Sequence, residues 1–215
     1  MKRSFEVLYE DKELLAVFKR SGLLTIATDQ DATHNLYHYV RDYLNRKKQK
    51  VFVVHRLDKD TSGIVLFAKT FDMKERLQEA FADDDLDRLY EAVVRERIPL
   101  GKTFRVDQFL SIDEKTGNVF VTHDKSLGKE AITEIEATSS CSSGTVLAIR
   151  ILTGRKNQIR LALASLDLTL IGDRKYADNR AFQMMLNEYA LIFDPQIGLR
   201  QSVFETTPLW LPRNN

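Results

Sequence analysis

Nine consecutive residues, His55 to Gly63, constrain this chain more than any other stretch. HRLDKDTSG is almost wholly polar, yet Val51–Val54 before it and Ile64–Ala68 after it are short apolar runs rich in β-branched and aromatic residues. Runs of that length read as strands rather than helices. The stretch is therefore strand, polar turn, strand, and a turn held between two buried strands is a rigid platform for chemistry. Gly63 suits a tight backbone at the return. Three readings of the turn compete. Asp58 and Asp60 can brace backbone N–H groups of an ordinary turn. Asp58-x-Asp60-x-Ser62-Gly63 matches the first half of a calcium loop, but the position that needs a bidentate Glu is Lys69 and the flanks are strands, so calcium is excluded. The third reading is a nucleophilic or acid–base Asp58 beside the guanidinium of Arg56.

The 215 residues suffice for a sizeable core, as one large domain or two small lobes, and the expectation is a single domain over 1–215. A lone cysteine, Cys141, excludes an internal disulfide and points to a reducing, cytoplasmic setting. The four histidines form no Cys/His motif, and His34 and His38, four apart with no acidic partner, read as a helix surface, so no metal is expected. No run reaches membrane-spanning length. The net charge is only +1, but its distribution is uneven. Between Arg41 and Lys59 seven basic residues face only Asp42 and Asp58, while acids gather at Asp83–Asp87 as a solvated loop. Such separation favours one positive surface for phosphates.

Phe5–Tyr9 and Leu14–Lys19 read as strands around Glu10-Asp11-Lys12. Leu36, Tyr39, Val40, Tyr43 and Leu44 recur at helical spacing, predicting a helix over 35–49. A second helix runs from a Thr70 cap to about Ala82, with Met73, Leu77, Ala80 and Phe81 as its apolar stripe. Strands follow at 88–95, 104–111, 119–123, 130–138 and 145–152, with Gly117 in a left-handed turn and Ser139–Gly144 as a connection. A helix follows Gln158, and a last strand pair, 189–193 and 202–206, lies either side of Asp194-Pro195. Pro208–Pro212 reads as an apolar tail over a sheet edge. The fold class expected is mixed α/β (α+β): a mostly antiparallel central sheet with flanking helices.

HRLDKDTSG resembles the HRLD-x-x-TSG motif of the RluA-type pseudouridine synthases, which isomerise uridine in RNA. The resemblance extends along most of the chain. EDKELLAVFKRSG is similar to a motif in which Arg20 stands where the family has Pro. RLYEAVVR is similar to a second motif through Tyr90. Lys129, Ala131 and Thr133 fit a third region. TGRKNQIR, Thr153–Arg160, is similar to TGR-[TS]-HQ-[IL]-R with Asn157 in place of His, and Ile171-Gly172-Asp173-x-x-Tyr176 is similar to the motif that follows. The family's L-H-A is here Leu186-Asn187-Glu188.

The resemblance implies a synthase fold with a central RNA cleft, Asp58 as the nucleophile, Tyr90 packed against the target base, and Arg160 as the cation that keeps Asp58 ionised. Arg56 would fill the stack vacated by the flipped base. His55, Lys59, Arg155, Lys156, Asn157 and Gln158 would contact RNA, with rRNA and tRNA both open. Asn157 can cap a helix and donate hydrogen bonds but cannot become cationic. The small appended RNA-binding domain of many relatives is expected to be absent, and the chain is expected to act as a monomer without cofactor. Two rivals belong to other classes. A protein that kept the fold and lost activity is motivated by Arg20, Asn157 and Asn187. A glycoside hydrolase needs two carboxylates flanking a bond, and Asp60, two residues from Asp58 on the same turn, is poorly placed for that.

Overall fold

The computed structural model describes residues 5–27, 32–83, 86–177, 181–208 and 210. The chain divides into two compact units, Met1–Asp87 with Asn187–Asn215, and Arg88–Leu186.

In the first unit, β1 (Glu6–Glu10) and β2 (Leu14–Lys19) form a hairpin closed at Asp11, whose carboxylate accepts from the backbone N–H groups of Glu13 and Leu14. β2 pairs antiparallel with β4 (Ser62–Ala68) along its whole length, Leu14 opposite Ala68 and Lys19 opposite Gly63. Every residue of both strands is buried, as expected of strands covered on both faces. The other edge of β4 is shared. The two-residue strand β3 (Phe52–Val53) takes Phe67 and Ala68, and β10 (Leu186–Phe193) takes Ser62 and Gly63 in parallel. β11 (Val203–Glu205) adds to β10, after a 3-10 turn at Pro195–Ile197.

Alternate residues divide between the faces. Leu14, Ala16, Ile64, Leu66 and Ala68 join Leu191, Phe193 and Phe204 in a core that also takes Met73, Leu77 and Ala80 from α2 (Phe71–Ala82). This helix is capped as expected, with Thr70 accepting from the Met73 N–H. α1 (Leu36–Asn45) is capped by Asn35 and buries Leu36, Val40 and Leu44. It stops four residues short of the predicted Gln49. After Leu44 no apolar residue continues its stripe, and the chain turns through Lys48 at φ 57°.

The second unit is an antiparallel sheet in the order β5 (Leu86–Val94), β9 (Gly144–Ile151), β8 (Lys129–Cys141), β6 (Thr103–Ile112), β7 (Val119–Thr122). Gly117 adopts φ 67° in the β6–β7 turn, as expected. The connection expected over Ser139–Gly144 is shorter, because β8 continues to Cys141 past an irregularity between Ala137 and Ser139. The acidic run is likewise shorter than expected: β5 begins at Leu86 and includes Asp87, while 84–85 lie outside the described residues. α3 (Gln158–Ser165) sets Leu161 against Leu110, Val119, Ala131 and Tyr176. Most of the Pro208–Pro212 tail lies outside the described residues. Among the described residues no helix is long and apolar enough to cross a membrane.

Candidate active site

The loop between β3 and β4 carries Arg56 exposed, Leu57 buried and Asp58 half-buried. That alternation leaves the two polar side chains on one side of the backbone. The loop is held by residues 19–25, the end of β2 and the turn in which Arg20 stands where the resembled family has Pro. The hydroxyl of Thr25 donates to the Leu57 carbonyl at 2.8 Å and accepts from the Leu57 N–H at 3.1 Å. Lys19 and the Gly22 N–H both donate to the Lys59 carbonyl, at 2.9 Å each. The Ser21 hydroxyl donates to the Asp60 carbonyl at 2.6 Å. The turn closes on itself where the Thr61 N–H donates to the Asp58 carbonyl. Three of the four residues from Leu57 to Asp60 are thus pinned through their main chain, and the fourth, Asp58, closes the turn.

Lys19 is fully buried at the end of β2, and its ammonium also donates to the carbonyls of Leu23 and Arg20. Burial pulls its pKa down to about 7, opposed by the charges of Asp60 and Asp58.

His55 was expected at the RNA surface but is only 9% exposed. On the shared edge of β4, between the stretches taken by β10 and β3, the Leu66 N–H donates to His55 Nε2 at 3.0 Å. An accepting Nε2 requires the neutral ring with its proton on Nδ1. The ring also stacks on Phe81 with centroids 4.4 Å apart. His55 therefore stitches the sheet.

Gly63 lies inside β4 rather than in a turn. Its φ is +131°, and a Cβ there would stand 2.4 Å from the Glu188 carbonyl oxygen and 2.6 Å from the Glu188 nitrogen. Only glycine lets β10 approach so closely. Beside it the Ser62 hydroxyl donates to Asn187 Oδ1 at 2.8 Å, so Asn187, at the family's His position, is a buried strut. Its Nδ2 has no hydrogen-bond partner among the described residues.

In the second unit the Thr153–Arg160 motif is a turn entering α3. Asn157 occupies the N-cap position in the left-handed region, φ 56°, which Asn tolerates better than most residues. Its side chain does not cap the helix as expected. Instead Oδ1 accepts from Arg160 Nη1 at 3.1 Å and Nδ2 donates to the Tyr176 hydroxyl at 3.1 Å. Arg160, 8% exposed, also donates to Asp173 in a two-pronged pair, Nε to Oδ2 at 2.8 Å and Nη2 to Oδ1 at 2.6 Å, and lies over the Tyr176 ring. Burial would raise the Asp173 pKa, but Arg160 and the backbone N–H groups of Lys175 and Tyr176 outweigh it and hold the carboxylate ionised. The sequence showed Asp173 only as a motif letter.

Gln158 has no hydrogen-bonding capacity left over. Its Oε1 accepts from the Thr153 hydroxyl and the Arg155 N–H, and its Nε2 donates to the Ile132 carbonyl and the Thr133 hydroxyl. Tyr90, 4% exposed, accepts at its hydroxyl from Arg88 Nη2 at 2.8 Å. Arg155 and Lys156 are exposed, anchored to the carbonyls of Glu130 and Gly117 respectively. With Lys129 they border a cleft of about 620 Å³ whose apolar lining includes Leu110 and Val119. None of the three cations is ion-paired among the described residues, and Glu114 is the one acid lining the cleft. No group of His, Cys, Asp and Glu that could hold a metal occurs among the described residues.

The mixed α/β fold is that of human RNA pseudouridylate synthase domain containing 4, with a TM-score of 0.75 at 22% identity over 97% of this chain and 89% of that one. Human RNA pseudouridylate synthase domain containing 1 is similar to the same degree, with a TM-score of 0.75 at 20% identity over 96% of this chain and 84% of that one. The sequence model of the RNA pseudouridylate synthase family matches residues 13–165, a span that includes Asp58, Tyr90 and Arg160. The chain belongs to the RNA pseudouridylate synthase family. Among its relatives, an uncharacterized RNA pseudouridine synthase of Zymomonas mobilis is 33% identical over 86% of this chain and 85% of its own length. Ribosomal large subunit pseudouridine synthase D of Yersinia pestis is 33% identical over 80% of this chain and 52% of its own length. The tRNA pseudouridine synthase C of Vibrio parahaemolyticus is 29% identical over 86% of this chain and 78% of its own. The chain spans about half the length of the ribosomal relative from Yersinia pestis.

Proposed function

We propose that the protein converts uridine in RNA to pseudouridine, with Asp58 as the reacting carboxylate. The observation that carries this is the braced loop. It offers a carboxylate and a guanidinium, Asp58 and Arg56, side by side, one half-buried and one exposed, on a main chain fixed at Leu57, Lys59 and Asp60. Rigid placement of reacting groups is a large share of what catalysis needs. The substrate nucleotide must leave its stack, at a cost of about a few kcal/mol. Arg56, planar and cationic, offsets part of that by occupying the gap and bonding phosphate. Asp58 assists departure of the base from the sugar. The base turns and rejoins through ring carbon five, whose proton is lost while the ring nitrogen gains one. The atoms balance without oxidant, reductant or metal.

Tyr90 is assigned to packing against the target base, and Arg160, oriented by Asp173 and Asn157, is the cation assigned to Asp58. Lys59, Arg155 and Lys156, with Lys129, are assigned to phosphates; for Arg155, Lys156 and Lys129 this is supported by the unneutralised charge around the second unit's cleft. The substrate class is ribosomal or transfer RNA, the two that appear in the names of relatives, and the setting is the cytoplasm. The test is tritium release from RNA labelled at uracil carbon five. Wild type is expected to release it and Asp58→Asn to reduce release by at least about a thousandfold. Equal release by both rejects Asp58. No release from either, with RNA still bound, leaves a binding protein instead.

A further inference from the structure

We propose that Thr25 is a positioning residue for the Arg56–Asp58 pair, acting through Leu57. This rests on the function proposed above. Leu57 is the single residue between the two side chains assigned to the substrate. Its N–H and its carbonyl are both satisfied by one oxygen, the Thr25 hydroxyl, at 3.1 and 2.8 Å, and both bonds are buried. A hydroxyl can do this because it donates once and accepts as well. The arrangement fixes both peptide planes that join Leu57 to its neighbours, and so fixes the directions in which Arg56 and Asp58 leave the backbone.

Thr25 is itself anchored. It is 2% exposed, its carbonyl accepts from the Tyr37 N–H in the first turn of α1 at 2.9 Å, and the Leu24 carbonyl takes the Leu36 N–H at 2.8 Å. The start of α1, capped by the fully buried Asn35, therefore holds the segment that holds the loop. The Leu57 side chain is buried as well, so this residue is fixed from two directions between the exposed Arg56 and the half-buried Asp58. Lys19 and Ser21 grip Lys59 and Asp60, on the far side of Asp58. Thr25 governs the near side, where Arg56 and Asp58 are coupled.

Thr25→Val keeps the shape and removes both bonds. It is expected to lower kcat for tritium release by about 10- to 100-fold, the scale on which small misplacements of reacting groups act, while KM for RNA changes less than about threefold. Thr25→Ser restores both bonds and is expected to bring kcat back to within about threefold of wild type. Amide hydrogen exchange is measured on the same proteins and needs no turnover. Thr25→Val is expected to speed exchange at Leu57 at least about tenfold while leaving Leu66 in β4 unchanged, a contrast that general loosening of the fold would erase. An unchanged kcat in Thr25→Val, a Thr25→Ser variant as slow as Thr25→Val, or an unaltered Leu57 exchange rate overturns the assignment. If wild type itself releases no tritium, the function above fails, and the Leu57 exchange rate still decides whether Thr25 holds the loop. If Thr25→Val does not fold, the Thr25→Ser kcat and the protection of Leu57 in wild type decide in its place: a slow Thr25→Ser, or Leu57 exchanging like an open loop amide, overturns it.

Discussion

Gly63→Ala tests the packing around the loop directly. The added methyl would lie 2.4 Å from the Glu188 carbonyl oxygen and 2.6 Å from its nitrogen, where ordinary contact begins at 3.4 Å, so β4 and β10 must part by about 1 Å. Both atoms are main chain in a paired strand, so no side chain can swing aside. Two costs add. Overpacking of this kind is worth about 1–3 kcal/mol, and an alanine held at φ +131° adds about 1–3 kcal/mol of backbone strain. The expected loss is about 2–6 kcal/mol, or roughly 5–20 °C in Tm for a protein of this size. Gly22→Ala is the internal control: its φ is +85°, but an added methyl there would meet nothing within 4 Å, so it carries the strain alone, about 1–2 kcal/mol. Scanning calorimetry and urea titration of the two variants beside wild type separate collision from strain. A Gly63→Ala variant that loses no more than Gly22→Ala would refute the claim that glycine is there to admit β10.

Three further outcomes are expected. Glu10 is pushed up by burial, but Lys47, Lys69 and Tyr43 together hold its pKa down at about 2, so it contributes stability above its unfolded value and loses it as pH falls from about 4.5 towards 2. Discounted for partial exposure, this is about 1–3 kcal/mol, and Glu10→Gln should flatten the acid limb of a urea-monitored stability curve over that window. Asp173→Asn removes the two-pronged carboxylate partner of the buried Arg160 guanidinium and is expected to cost about 3 kcal/mol, with a Tm lower by roughly 6–12 °C; a Tm within about 2 °C of wild type would contradict the pair's role. Lys129→Ala and Arg155→Ala should each reduce the slope of log binding constant against log salt for single-stranded RNA by about 0.7, whereas Lys12→Ala, which does not line the cleft, should leave it unchanged.

Where the sequence was periodic, it was informative. β2 occupies Leu14–Lys19 and α2 follows its Thr70 cap, because each apolar pattern ends at a polar or capping residue. The end of α1 was misplaced because Asn45–Gln49 contains residues a helix accepts, and only the lack of anything further to bury stops it. Arg56 and Asp58 were legible from a local motif. Their supports were not. Thr25 is an unremarkable letter in a nonperiodic stretch, the ammonium of Lys19 looks like a surface charge closing a strand, and the crowding at Gly63 comes from Glu188. Asn157 misled in a different way: its position at a helix start suggested a cap, but its left-handed backbone turns the side chain towards Arg160 and Tyr176.

The bond from Ser62 to Asn187 spans 125 positions, and the strand that supplies Asn187 follows the whole of the second unit. During synthesis, therefore, β4 emerges long before β10 does. Until then Ser62 and Gly63 present an unfilled hydrogen-bonding edge, while β5, β9, β8, β6 and β7 have all been made and can pair with one another. A released chain ending at Leu186 should accordingly resist proteases more across the later-made unit than in the earlier one, whose β4 edge waits for the last-made strand.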